Sequence, residues 1–462
     1  MSDLAGEHSA ARGRDDLAAW RAGQARLRET AQRQNDALVQ GWTTLVLIAT
    51  LLYVMIGHTP YDHELTFDPL TGGALISPVN RYFWLGLLAA AAPVLIVRYE
   101  ALPGFAMRLW PLLLLFLWFA ATSRWALDPA ASQRRLFLTL VGLLICISLR
   151  LGLPDGRRMH AAMAWACAIV IVIDLGSWIV APEASMTDLG LAAIHNHKNT
   201  LGAVMLFSSL VLAPYAWGRP TKGGRLAWGA VFLGCLVLLV ASLSKTSIAL
   251  TVVAGLIAPI LLAIAGLRAS LVRGVLAGVA VVLVAAAFLW CAWCFIQGLD
   301  PLWPILQLNF THRTDVWTFV LQQSAHHPVR GFGFGSFWDI DPAVQPSKQT
   351  DLWFAKPDAP TNEAHNGYLD LLVTTGYPGL VGALALLFGW ILGGLSMIRE
   401  ARQMGGAAGR ALMPFALFLG LFPVMFFIHN WMESTYFTPD SPYGLIIILV
   451  GVAIDMRPRQ PA

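Results

Sequence analysis

The stretch AHNGYLDLLVTTGYPGLVGALALLFGWILGGLSMI runs from Ala364 to Ile398. Its second half, from Leu380 on, carries no charge and is long enough to cross a bilayer, which takes about 20 apolar residues. Its first half is different. A His365-Asn366 pair stands directly before Tyr368, Leu369, Leu371 and Leu372, and Thr, Gly and Pro then interrupt the run. A titratable imidazole therefore sits at the threshold of an apolar span.

The rest of the chain repeats the apolar pattern. Of 462 residues, 57% are hydrophobic and 13% charged, with mean hydropathy +0.62. Soluble domains carry about a quarter charged residues. The expected fold is an all-α polytopic membrane protein. About twelve transmembrane helices are expected, at 41–58, 81–97, 109–122, 136–149, 161–181, 199–217, 226–244, 246–267, 274–298, 378–398, 411–433 and 443–456. Four regions follow: a polar arm over 1–40, spans over 41–299, a large loop with short helices over 300–377, and the last spans and short tail over 378–462. The arm holds scattered arginines and lacks the short charged region before an apolar core that marks a cleavable leader.

Most Lys and Arg residues fall in loops on the side of the arm, among them Arg98, Arg108, Arg150, Arg157, Arg158, Arg219, Arg399 and Arg402. The positive-inside rule then places both termini in the cytoplasm and the large loop outside. The net charge of +4 gives no sign of nucleic acid as a partner. Membrane lipids are implied, and a monomer is expected. The five cysteines lie in apolar runs and read as small buried hydrophobes. Trp42, Trp84, Trp178 and Trp217, near span ends, fit interfacial belts.

In the large loop, Thr311 is placed to cap a helix that begins with His312 and Arg313. Thr361 or Asn362 is placed to cap a second, with Glu363 at its positive end. Gly376 closes that helix and Pro378 opens the span. His365 would then lie in the first turn, with Tyr368 on its side at i+3. On position alone it reads as a capped, solvated histidine. The competing assignment is a general base, kept neutral by burial and the helix N-terminus, with a midpoint near or below the ordinary value of about 6.5.

Three cations share the outer side. Lys198 begins the sixth span with His195, His197 and Asn199 beside it; Lys245 lies in the turn before the eighth; Arg313 begins the loop helix. A cation at a helix N-terminus is unfavourable unless an anion is there. Each alone reads as contact with lipid headgroups, whereas three together with a histidine favour a shared phosphate. His195-x-His197 offers half of a zinc pair without convincing partners, and no metal or cofactor is expected. GFGFGS lacks the Lys-Ser/Thr of a phosphate loop and reads as a turn, and Asp339-Ile-Asp341 reads as loop. Asp174, inside the fifth span, needs a partner there or points to transport. Arg134 and Arg135 are within reach of acidic headgroups.

HNHKNTLG, SLSK, HRTDVW followed by RGFGFGSF, and HNGYLDLLVTTGYPGL, in that order over Ile194–Leu380, resemble successive signatures of the O-antigen ligase and polymerase superfamily. Ser244-Lys245 departs from the Ser-Arg common in that family, which keeps the charge but loses the bidentate fork. The resemblance implies a GT-C-like, inverting, metal-independent glycosyltransferase of the bacterial inner membrane with its site facing the periplasm. The donor would be undecaprenyl-diphosphate-linked O-antigen and the acceptor a hydroxyl of lipid A–core. His365 would be the base, Arg313, Lys245 and Lys198 would meet the diphosphate, and Asn366 or Glu363 would orient the imidazole. A compact chain with one large loop resembles the ligase more than the polymerase. A transporter would carry polar groups at mid-membrane in two related halves.

Overall fold

The computed structural model describes residues 2–63, 78–301, 313–356, 361–438 and 441–457. Its helices run in chain order as α1 (Ser2–Ile56), α2 (Pro78–Val97), α3 (Leu102–Arg108), α4 (Trp110–Thr122), α5 (Pro129–Gly152), α6 (Gly156–Val180) and α7 (Pro182–Ser185). A two-residue hairpin, β1 (Met186–Thr187) with β2 (Gly190–Leu191), leads to α8 (Lys198–Trp217), α9 (Lys222–Ala241), α10 (Lys245–Ala265) and α11 (Ala269–Gln297). Then come α12 (Arg313–His326), α13 (Gly367–Met404), α14 (Gly406–His429) and α15 (Pro442–Asp455).

The fold is all-α and the chain is a multi-pass membrane protein. Among the described residues, nine helices are long and apolar enough to cross a membrane. That is fewer than the twelve expected. The third expected span falls in a helix pair, Tyr99–Arg108 and Trp110–Trp125, bent by 81°. The ninth falls on α11, Ala269–Gln297, and the twelfth on a shorter apolar helix, Pro442–Asp455. α15 is short yet buried around nearly its whole circumference, as a helix that is hydrophobic on every face must be.

Packing follows the sequence closely. Phe415, Phe418, Phe422 and Phe426 recur at three- and four-residue steps and are all buried on one side of α14. A Cβ on Gly394 of α13 would lie 2.6 Å from Gly420 of α14. The two helices cross through small residues, as apolar helices without a hydrophobic drive between them commonly do. The arm is not a separate element: it and the first span form the single helix α1. Trp84 is buried rather than interfacial, and Cys291 is exposed.

Gly376 interrupts α13 with φ 68°, and its Cβ would meet the Val329 carbonyl oxygen at 2.2 Å. The break sets the first part of α13, from Gly367, apart from the rest of the helix, two residues before the Pro378 expected to open the span. Gly331, Gly333 and Gly335 all have positive φ, and the Phe332 and Gly333 amides donate to the Val373 and Thr374 carbonyls. GFGFGS is a turn laid against α13.

Topology is checked by labelling with a membrane-impermeant thiol reagent, in cells whose outer membrane is permeabilised. Exposed Ala343→Cys in the large loop should react, and exposed Ala407→Cys at the start of α14 should not. The reverse pattern would put the loop on the cytoplasmic side.

Candidate active site

The helix that carries the HN motif starts later than expected. Asn366, not Thr361 or Asn362, is the N-cap: its side chain accepts from the Tyr368 and Leu369 amides at 3.1 and 3.2 Å. His365 precedes it with φ 49°, so residues before Asn366 cannot continue the helix and His365 is not in its first turn. A left-handed histidine costs of order 1 kcal/mol and is tolerated where the surroundings fix it. Here they do. Asn366 N donates to Ser434 Oγ at 3.0 Å, and Gly367 N donates to the Asn430 carbonyl at 2.9 Å. A Cβ on Gly367 would collide with Asn430 Oδ1, so the third residue of His-Asn-Gly must be glycine. Tyr368 serves the same anchoring: its hydroxyl donates to the Phe427 carbonyl at 2.6 Å.

The imidazole is delivered between two carboxylates. His365 Nδ1 lies 2.7 Å from Glu363 Oε1, an off-axis ion pair rather than a straight hydrogen bond, and 3.7 Å from Glu433 Oε2. Arg313 at the start of α12 places Nη2 3.7 Å from Glu433 Oε1, and its Nη1 donates to the Met432 carbonyl. Burial lowers the His365 pKa, but the carboxylates of Glu363 and Glu433 outweigh it and raise it to about 9. The sequence expectation of a neutral ring is therefore overturned: the helix dipole was counted and the two carboxylates were not. Burial pushes Glu433 up, yet His365 and Arg313 hold it below its ordinary value.

Glu363, His365 and Glu433 present ligand atoms within 4.8 Å of one another, a set that could hold a divalent cation. Arg313, 3.7 Å from Glu433, competes with a cation for that carboxylate. The arrangement suits proton transfer: Glu363 favours a proton on Nδ1 and leaves Nε2 to act on a substrate.

Two cavities at this end of the bundle flank the cluster. One, about 450 Å³, is lined by the loop ends of α1, α2, α8, α10 and α15 and includes Glu433. The other, about 400 Å³, lies between the first turns of α5, the glycine turn and the start of α13, and includes Glu363. Thus each carboxylate beside His365 belongs to a different cavity.

The other expected residues separate. Asn199 lines the first cavity with Ser244 and Ser247. Lys245 begins α10 but is exposed, and Lys198 donates to the Leu189 carbonyl at 3.1 Å; neither lines that cavity. His197 caps α8, its Nδ1 accepting from Asn199 N. His195 does not pair with His197 for zinc. It meets Asp174 at 3.1 Å, both fully buried, which gives Asp174 its partner. Arg135 does not reach for headgroups: it donates to the carbonyls of Gly335, Trp338 and Asp339. Thr311 and His312 lie outside the described residues.

Sequence reading missed Glu433 and Asp370. Asp370 accepts from Ala364 N at 3.1 Å and from Trp338 Nε1 at 2.8 Å, and so fixes the residue before His365. The signal for Glu433 was an acid in the polar run just beyond an apolar span, in HNWMESTY.

Residues 229–384 match the O-antigen ligase family model. The match supports placing the chain in the O-antigen ligase superfamily. The matched stretch contains Lys245, Arg313, Glu363 and His365, but Lys198 lies before it and Glu433 after it. No curated protein matches the chain.

A raised folded-state pKa means that His365 is charged at neutral pH and becomes a free base only as pH rises toward 9. NMR of protein labelled at histidine should give a midpoint near 9 for His365, and Glu363→Gln should move it down toward 6.5. A parent midpoint at or below 6.5 would contradict the ion pairs.

Proposed function

We propose that this protein is an O-antigen ligase. It transfers O-antigen from undecaprenyl diphosphate to a sugar hydroxyl of lipid A–core, at the periplasmic face of the inner membrane, with inversion and without a metal. The observation that carries this reading is one imidazole whose two carboxylate partners line two different cavities. A transferase must bring two substrates to one base, and a membrane donor must reach it from the bilayer.

Charge supports the division of the cavities. The first has hydroxyl and amide groups, the starts of α8, α10 and α15, and one carboxylate, Glu433. Helix N-termini favour anions, so the diphosphate belongs there. The second holds Glu363, Asp339 and Asp370 and would repel it. His365 Nε2 takes the acceptor's hydroxyl proton as that oxygen attacks the anomeric carbon. The bond from that carbon to the diphosphate breaks, and the charge passes to phosphate oxygens. Arg313 exchanges its contact with Glu433 for that developing charge. Lys245 and Lys198 act at the rim of the site, Lys245 as a point charge. The charged resting imidazole must first release its proton. Its added basicity offsets only part of the population lost at neutral pH, so transfer should rise with pH toward 9.

Purified protein incubated with polyprenyl-diphosphate-linked glycan should form product only when lipid A–core is present. Glycan lengthening without lipid A–core would favour a polymerase of the same superfamily. Movement of the glycan across the membrane without either product would favour a transporter. His365→Ala and His365→Gln should lower transfer by about 10²–10⁴-fold with donor binding retained. Full turnover in either variant would end the base assignment.

A further inference from the structure

The second cavity has a composition unlike the first. Its walls carry Trp338, Phe337 and Tyr436, and its polar groups include Asp339, Glu363 and Thr374. A volume of about 400 Å³ is at the small end of ligand sites. Its only arginine among the described lining residues, Arg135, is committed to three carbonyls of residues 335–339 and stiffens that wall. With carboxylates inside and that guanidinium already engaged, the cavity disfavours phosphate. Aromatic faces beside hydroxyl- and carboxylate-bearing side chains suit a neutral polyhydroxyl ring.

One wall is mechanically joined to the base. Asp370 fixes the Trp338 indole at 2.8 Å and, through the same carboxylate, the Ala364 amide next to His365. Glu363, in the cavity lining, is 2.7 Å from His365 Nδ1. A ring seated against Trp338 therefore lies beside the dyad that would remove its proton. Asp339 sits on the same wall with φ 51°, a conformation held by Arg135 binding its carbonyl. Burial pushes the Asp339 carboxyl up to about 6, so at neutrality it is mainly a carboxylate that accepts from hydroxyls.

We propose that this cavity is the acceptor subsite, taking one neutral sugar of the acceptor glycan against Trp338 with its hydroxyls on Asp339 and Glu363. The proposal rests on the glycosyl-transfer reading above and adds the place and chemistry of acceptor recognition. Trp338 and Asp339 are specificity residues, and Asp370 is a positioning residue.

The test measures equilibrium binding of two probes to the full-length protein. One is core oligosaccharide released from lipid A–core; the other is undecaprenyl diphosphate. Asp339→Asn, which removes a charged acceptor, and Trp338→Phe, which shrinks the stacking face and loses the indole bond to Asp370, should each weaken oligosaccharide binding about tenfold. Both should leave undecaprenyl diphosphate binding unchanged. In turnover the acceptor KM should rise by a similar factor while the donor KM stays the same. Unchanged oligosaccharide binding in both variants overturns the subsite, and so does weakened diphosphate binding, which would seat the donor here. Retained diphosphate binding shows that the variants fold. If the parent binds oligosaccharide through this cavity but transfers nothing to lipid A–core, the subsite stands and the transfer reading fails. If the parent transfers and neither variant alters acceptor KM, the reverse holds.

Discussion

His365 is held by one group beside it in sequence and one from a distant turn. Glu363 is two residues away; Glu433 arrives from the turn between α14 and α15. The rest of the site depends on that meeting. It requires Gly367 to pass against Asn430, Asn366 to cap α13, and α13 to pack closely on α14 through Gly394 and Gly420. The bundle fixes the turn after α14, and the turn fixes the electrostatics of the imidazole. In a membrane protein this is an economical solution. The helices need mutual packing in any case, and the polar groups stay at their ends, where water and headgroups reach them.

The same constraint explains why a charged histidine is a usable base. Two carboxylates around one imidazole raise its affinity for a proton, and Arg313 limits the rise. A group with a high pKa is rarely free at neutral pH but is strong when free. The proposed function gives the division of acids between the cavities a second end: the side with one carboxylate would admit a diphosphate and the side with three would not. On the proposed reading, substrates of opposite character would be sorted before either meets His365.

Much of this was legible in the sequence. Apolar runs gave the helices, because a span has to be apolar over its length. The three glycines of GFGFGS announced a turn, and Gly376-Tyr377-Pro378 announced the break before a span. His365 and Arg313 stood out because charge beside an apolar run is costly. What was not legible depended on tertiary approach. Glu433 lies 68 residues beyond His365 in the numbering, and no local pattern joins them. The left-handed turn at His365 arises from contacts with Asn430 and Ser434, so the propensity of Thr361 or Asn362 to cap was overridden. The upward direction of the His365 shift follows from Glu363, two residues away, and from Glu433, which no local pattern reveals. Lys198 and Lys245 were visible as cations at helix starts, but a long side chain there can turn away from the cavity its helix borders.

The central claim is that a single base at His365 drives one direct displacement between donor and acceptor. The measurement closest to it is the anomeric configuration of the newly joined sugar, compared by NMR with that of the donor. One displacement predicts inversion at the anomeric carbon. Retention would require two successive displacements and a covalent intermediate, and would contradict the account.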